Sequence, residues 1–96
     1  MPIKNYAKKV PGKKKNEILL FTLSTCVWCK KAKKLLNDIG LEYSYIDVDL
    51  LDDDVRDEVV KEFVHWNPDE SFPTIVINNK KCIKGYQEDE LKELGE

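Results

Sequence analysis

The sequence predicts an α/β domain built on one mixed four-stranded sheet, with three helices spread over both faces. Three observations predict it. Short apolar runs alternate with stretches of helical periodicity in the order strand, helix, strand, helix, strand, strand, helix. The first two strands are separated by a whole helix, so the connection is a right-handed crossover and the strands run parallel. The last two are separated by a turn at Asn78-Asn79, which makes them an antiparallel hairpin. Layer rules then place helices on both sides of the sheet.

Residues 1–16 read as an extended arm, because Pro2, Pro11 and Gly12 break any regular pattern. The domain proper is expected over residues 17–96. Ile18 to Leu23 is a short apolar run and reads as a buried strand. After Cys26-Val27-Trp28-Cys29 the spacing turns helical. Cys29, Ala32, Leu36 and Ile39 share one face, Leu35 lies beside them, and Lys30, Lys31, Lys33 and Lys34 take the remainder. Gly40 is the expected stop of that helix. Leu41 to Val48 reads as the second strand. Asp52, Asp53 and Asp54 open a second helix with apolar positions at Val55, Val59 and Phe63. Acids there suit the free N–H groups and the dipole of a helix start, a reading preferred to a metal site. Pro68 to Ser71 is a loop, Thr74 to Ile77 and Lys81 to Lys84 are the hairpin strands, and Leu91 and Leu94 anchor a last helix.

Ninety-six residues suit a single domain. No apolar run approaches the roughly 18 residues of a membrane helix, and the N-terminus lacks the layout of a secretory signal. A cytoplasmic location is therefore expected. Six lysines precede the first acid, Glu17, whereas the rest of the chain carries ten basic and 18 acidic residues. A basic arm thus leads into an acidic domain. It reads as a solvated tail folding back on acidic surface rather than as a membrane or nucleic-acid element, since no aromatic residues are interleaved to stack on bases.

The three cysteines are Cys26, Cys29 and Cys82. An odd count without a secretion signal argues against a structural disulfide framework. Between a strand and a helix, Cys26-Val27-Trp28-Cys29 puts one sulfur at the helix N-terminus, where backbone N–H groups and the dipole stabilise negative charge. Cys26 is therefore the expected attacking thiol. Cys29, one turn on, is the expected resolving thiol, which attacks the mixed disulfide and releases the reduced substrate. A structural zinc site wants four ligands. Only Cys82 and His65 remain to supply them, so no metal is expected. Cys82 reads as an inert, buried thiol, with oxidative regulation as the alternative. His65 reads as a surface or capping residue, and Trp66 as packing at the end of the second helix. Trp28 is expected on an exposed rim that substrates touch. Tyr86 is assigned either to that groove or to the core.

The segment Phe21 to Leu36 resembles the active-site segment of glutaredoxins. Ser71-Phe72-Pro73-Thr74-Ile75-Val76-Ile77-Asn78 resembles their second motif, and Ile83-Lys84-Gly85-Tyr86 resembles the glycine turn before their last helix. The resemblance covers about residues 17–95. It implies a thioredoxin-like fold, a cis peptide bond before Pro73, and a substrate groove formed by Val27, Trp28, Phe72, Pro73, Thr74, Gly85 and Tyr86. There, the backbone of Phe72 would bond an extended substrate chain as a short added strand.

Leu23 stands where glutathione-using members usually carry Lys or Arg, and Lys84 stands where they carry a first glycine. The run Lys84 to Asp89 is closer to small redoxins that deliver electrons to ribonucleotide reductase. The resemblance therefore implies a dithiol reductase of protein disulfides, monomeric and without a resident cofactor, which draws electrons from a reductase of the thioredoxin-reductase kind. Two alternatives stay open. One is a glutaredoxin reduced by glutathione. The other is a module binding a subunit-bridging iron–sulfur cluster, because Val27 replaces the proline that usually follows the first cysteine.

Overall fold

In the computed structural model, residues 5–95 are described; the first four residues of the arm, including Pro2 and Lys4, and the terminal Glu96 lie outside them. The elements are β1 (Lys8–Val10), β2 (Ile18–Thr22), α1 (Val27–Asp38), β3 (Tyr43–Asp47), α2 (Asp53–Trp66), β4 (Thr74–Ile77), β5 (Lys81–Lys84) and α3 (Glu88–Glu93), with a 3-10 turn at Val48–Leu50 between β3 and α2. The sheet order is β1-β3-β2-β4-β5. β2 and β3 run parallel, with Phe21 opposite Ile46, and the β4–β5 hairpin is antiparallel, with Ile75 opposite Ile83.

The expected sheet had four strands; the observed one has five. The extra strand comes from the arm, where Lys8–Val10 pairs antiparallel with β3. Three residues, two of them lysines, carry no apolar pattern from which to read a strand. Their chemistry nevertheless suits a sheet edge, where exposed lysines discourage further pairing. The described part of the arm, residues 5–16, folds back on acidic and polar surface. Lys9 pairs with Glu42 at 3.6 Å, and the Lys15 ammonium donates to the carbonyl of Gly95 at 2.7 Å.

Alternation along the central strands builds two cores. Ile18, Leu20, Ile75 and Ile77 face α1 and α3 and pack with Ala32, Leu36, Leu91 and Leu94. Leu19, Phe21 and Val76 face α2 and pack with Val59 and Phe63. Because β2 and β4 are apolar on both faces, helices are required on both sides. Phe21 and Phe63 meet with ring centroids 5.4 Å apart.

Several boundaries differ from the sequence reading. α1 begins at Val27 with Cys26 as its N-cap, and Ile39 is its partly exposed C-cap. Asp52 occupies the N-cap position of α2, but its side chain makes no capping hydrogen bond. Asp53 and Asp54 fall in the first turn, where acids suit the helix dipole, and Asp53 accepts a hydrogen bond from Arg56 at 3.1 Å. Gly40 ends α1 at φ +75° and Asn78 and Asn79 turn the hairpin at φ 53° and 55°, all values that favour Gly or Asn.

Gly12 is required for a different reason. A Cβ there would lie 2.7–2.8 Å from backbone atoms of Gly40, Leu41 and Glu42. The same stretch is stitched by the N–H of Lys13 to the carbonyl of Gly40 at 2.7 Å and the N–H of Glu42 to the carbonyl of Lys13 at 3.0 Å. Gly12→Ala is therefore expected to push the arm off β3 and cost about 1–3 kcal/mol, the usual penalty of overpacking. The midpoint of urea unfolding at fixed m-value measures it.

Candidate active site

β2 is apolar on both faces and fully buried, and it ends at Thr22. The Thr22 hydroxyl donates to the Ile46 carbonyl at 3.1 Å and contacts the Asp47 carboxylate at 2.6 Å, so the ends of β2 and β3 are locked in register. The chain then turns through Leu23, Ser24 and Thr25. The N–H of Cys26 closes this turn on the carbonyl of Leu23 at 3.1 Å. Asp49 holds the turn from outside, accepting hydrogen bonds from the Ser24 N–H at 2.9 Å and from the Ser24 hydroxyl. These bonds, the hydroxyl's first, hold the Asp49 carboxyl below its ordinary value. Their grip is complete above that ordinary value and is lost as pH falls through the lowered one.

Cys26 caps α1 with its sulfur: the N–H of Cys29 donates to Cys26 Sγ at 3.1 Å. One of the unsatisfied donors of the helix start is thereby directed at that atom. Cys26 is partly exposed, whereas Cys29 is fully buried. Burial, with the neighbouring Cys26 adding to it, pushes the Cys29 thiol up to about 12. The two thiols thus stand in different environments: one at the surface on a helix N-terminus, the other sealed beneath it.

The structure gathers most of the remaining sequence-predicted residues around this pair. Val27 and Trp28 are among the most exposed large apolar side chains, at 63% and 53%. The Trp28 ring lies 5.6 Å from that of Tyr86, which places Tyr86 on the rim beside the cysteines. The Phe72–Pro73 peptide bond is cis. The Gly85 N–H donates to the Pro73 carbonyl at 2.7 Å, tying the turn before α3 to that bond.

Three residues of the predicted groove lie inward: the Pro73 ring is fully buried, and the side chains of Phe72 and Thr74 turn into the fold. The Phe72 ring stacks on Phe63 at 4.8 Å, on the α2 side. Thr74 is fully buried, with its hydroxyl on the Ser71 carbonyl at 2.8 Å and on Asn67 Nδ2 at 2.9 Å. Thr74 can therefore serve the groove only by fixing the loop that carries Phe72 and Pro73.

Cys82 packs on the α2 face, across the sheet from α1, and its Sγ contacts the carbonyl of Trp66 at 3.2 Å. His65 is exposed near the end of α2 with its ring edge-on to Trp66. The Trp66 indole donates to Glu62 at 2.9 Å. Among the described residues, no three His, Cys, Asp or Glu side chains gather into a metal-binding group. No helix among them is long and apolar enough to cross a membrane.

One residue near the site does more than the sequence reading assigned to it. Lys33, placed with the other lysines outside the apolar face of α1, is half-buried. Its ammonium lies 3.3 Å from Asp47 and 3.9 Å from the centre of the Tyr45 ring. Its spacing of four from Cys29, which puts both on one helical stripe, was the available signal.

A family model described as Glutaredoxin matches residues 18–83. A curated glutaredoxin of Ricinus communis is 26% identical over 65 residues, which are 68% of this chain and 62% of that protein. The chain thus spans less than two thirds of that relative's length. The crystal structure of the glutaredoxin from Methanosarcina mazei Go1 is similar at TM-score 0.85 and 43% identity, covering 95% of this chain and 89% of that one. The Methanosarcina acetivorans methanoredoxin is similar at TM-score 0.82 and 42% identity, covering 86% and 87% respectively.

Proposed function

Since the chain belongs to the glutaredoxin family, whose members are thiol–disulfide oxidoreductases, we propose that it is a dithiol reductase of protein disulfides, with Cys26 as nucleophile and Cys29 as resolving thiol. The observation that carries this reading is the contrast within the pair: Cys26 Sγ sits on the N–H of Cys29 at the α1 start, while Cys29 is buried and held protonated.

In the first step the Cys26 thiolate attacks one sulfur of the substrate. A Cys26–substrate bond forms, the substrate S–S bond breaks, and the departing thiolate takes a proton. Cys26 then carries no negative charge, so its contribution to holding the Cys29 proton in place is removed. Cys29 gives up that proton and attacks Cys26 Sγ. The Cys26–Cys29 bond forms, the mixed disulfide breaks, and the proton ends on the second substrate sulfur. Two electrons have passed to the substrate, and a reductase of the thioredoxin-reductase kind returns them. The Phe72 backbone, fixed by the buried Pro73 at the cis bond and with Val27, Trp28, Gly85 and Tyr86 around it, receives an extended substrate segment.

The similarity of Lys84 to Asp89 to redoxins that serve ribonucleotide reductase supports an electron-carrier role toward such an enzyme in a reducing, cytoplasmic setting. The uncharged Leu23, whose carbonyl is occupied by Cys26, supports a dithiol donor over glutathione.

The test is the rate at which oxidised protein is reduced by glutathione and by a dithiol, followed by Trp28 fluorescence in a Trp66→Phe background. Slow reduction by glutathione with ready reduction by the dithiol is expected. Rapid reduction by glutathione would move the chain to the glutathione-dependent members. A visible absorption band after anaerobic purification would instead favour the cluster-binding alternative.

A further inference from the structure

Resting on that reading, we infer that the preferred substrates carry their disulfide on an acidic protein segment with an aromatic or large aliphatic side chain next to the half-cystine. Two separate features of the rim lead there.

The first is an apolar anchor. Trp28 is half exposed, two residues from the nucleophile, yet it is not loose: Tyr86 lies 5.6 Å from its ring and the Lys31 ammonium sits 4.5 Å from its centroid. With Val27 still more exposed beside it, the rim offers apolar surface whose main side chain is already positioned. A pre-positioned aromatic loses little conformational freedom on binding, the property of an interface hot spot. A small polar disulfide leaves this surface in water.

The second is charge. From residue 17 onward the chain carries an excess of acids, ten basic against 18 acidic residues, but the thiol end does not share it. Lys30 and Lys31 are exposed on the first turns of α1, and neither pairs with a carboxylate among the described residues. Lys84 is exposed on the far side of the Gly85–Pro73 bond. The α1 N-terminus adds its own positive field. Against them stand Glu88, which pairs with Lys92 at 3.5 Å, and the exposed Asp49 and Asp89, so this end is close to balanced where the domain as a whole is acidic. An acidic segment is repelled by the acidic surface of the domain but not at the thiol end, and only there does it meet the Trp28 anchor, which orients the encounter as well as strengthening it.

Three disulfide-linked peptide dimers test this, each reduced by the dithiol form in single turnover and read by chromatography. One flanks cysteine with Glu and Phe, one with Lys and Phe, one with Glu and Gly. The Glu–Phe dimer is expected to react about tenfold faster than Lys–Phe at low salt, with the advantage shrinking as salt screens it. The ratio between these two should collapse in a Lys30→Gln/Lys31→Gln variant, and the ratio of Glu–Phe to Glu–Gly should collapse in Trp28→Ala. Equal rates for the three peptides, a preference for Lys–Phe, or faster reduction of glutathione disulfide than of Glu–Phe overturns the inference. If bis(2-hydroxyethyl) disulfide and all the peptides stay unreduced, the reductase reading itself fails.

Discussion

Cys26→Ser is expected to lower the rate of disulfide reduction by a factor of about a thousand or more, the scale seen when a covalent nucleophile is removed. A serine hydroxyl does not displace sulfur from sulfur under mild conditions, so the replacement has no chemistry of its own. Nor can the neighbour take over. Cys29 is fully buried, and its thiol is pushed up to about 12, so it is neither accessible nor ionised near neutral pH.

Cys29→Ser should behave differently. Attack by Cys26 survives and the mixed disulfide accumulates, visible by intact mass as protein plus one substrate half. The pair of variants therefore separates the two steps. Should Cys26→Ser keep more than about a tenth of the wild-type rate, the nucleophile is another group, because no covalent nucleophile is so lightly replaced.

The parts of this structure legible in the sequence are those where one physical signal dominates. β2 was visible because Ile18 to Phe21 is apolar at every position, and its double burial between two cores is what such a run requires. α1 was visible because Cys29, Ala32 and Leu36 repeat at helical spacing, and Gly40 stops it at a positive φ. The hairpin turn was visible in Asn78-Asn79.

What stayed hidden depends on partners distant in sequence. β1 is a strand only because β3 presents an open edge to it. Lys33 looks like any surface lysine until Asp47 and Tyr45 are brought under it. Thr74 and Phe72 belonged to a motif associated with substrate, but Asn67 and Phe63 draw their side chains inward. The Ser24–Asp49 clamp joins a loop to a 3-10 turn 25 residues away and leaves no local pattern. At the site, the cysteine spacing identified the chemistry. Only the packing distinguishes an exposed Cys26 from a sealed Cys29.

That sealing has a large consequence at alkaline pH. In the unfolded reduced chain Cys29 ionises near its ordinary 9.0, and in the folded one near about 12. Between those values the folded state holds a proton that the unfolded state has released, so raising the pH favours unfolding. The contribution of Cys29 to the stability of the reduced protein is fully present below pH 9 and is lost progressively as pH rises toward 12. The slope is about 1.4 kcal/mol per pH unit.

Comparing reduced wild type with reduced Cys29→Ser removes the lysine and tyrosine titrations common to both. Urea unfolding at pH 8 and pH 10.5 should show the wild type losing stability relative to the variant between the two. The same shift acts on reactivity. At pH 8 the thiolate fraction of Cys29 is about a thousandfold smaller in the folded protein than in urea. Iodoacetamide should accordingly modify Cys26 first and leave Cys29 until the chain unfolds, a difference that fragment-ion mass spectrometry locates. Equal labelling of the two cysteines in the folded protein, together with pH-independent relative stability, would mean that burial does not govern Cys29. The resolving thiol would then be ready to react before a substrate arrives, rather than being released to react by the formation of the mixed disulfide.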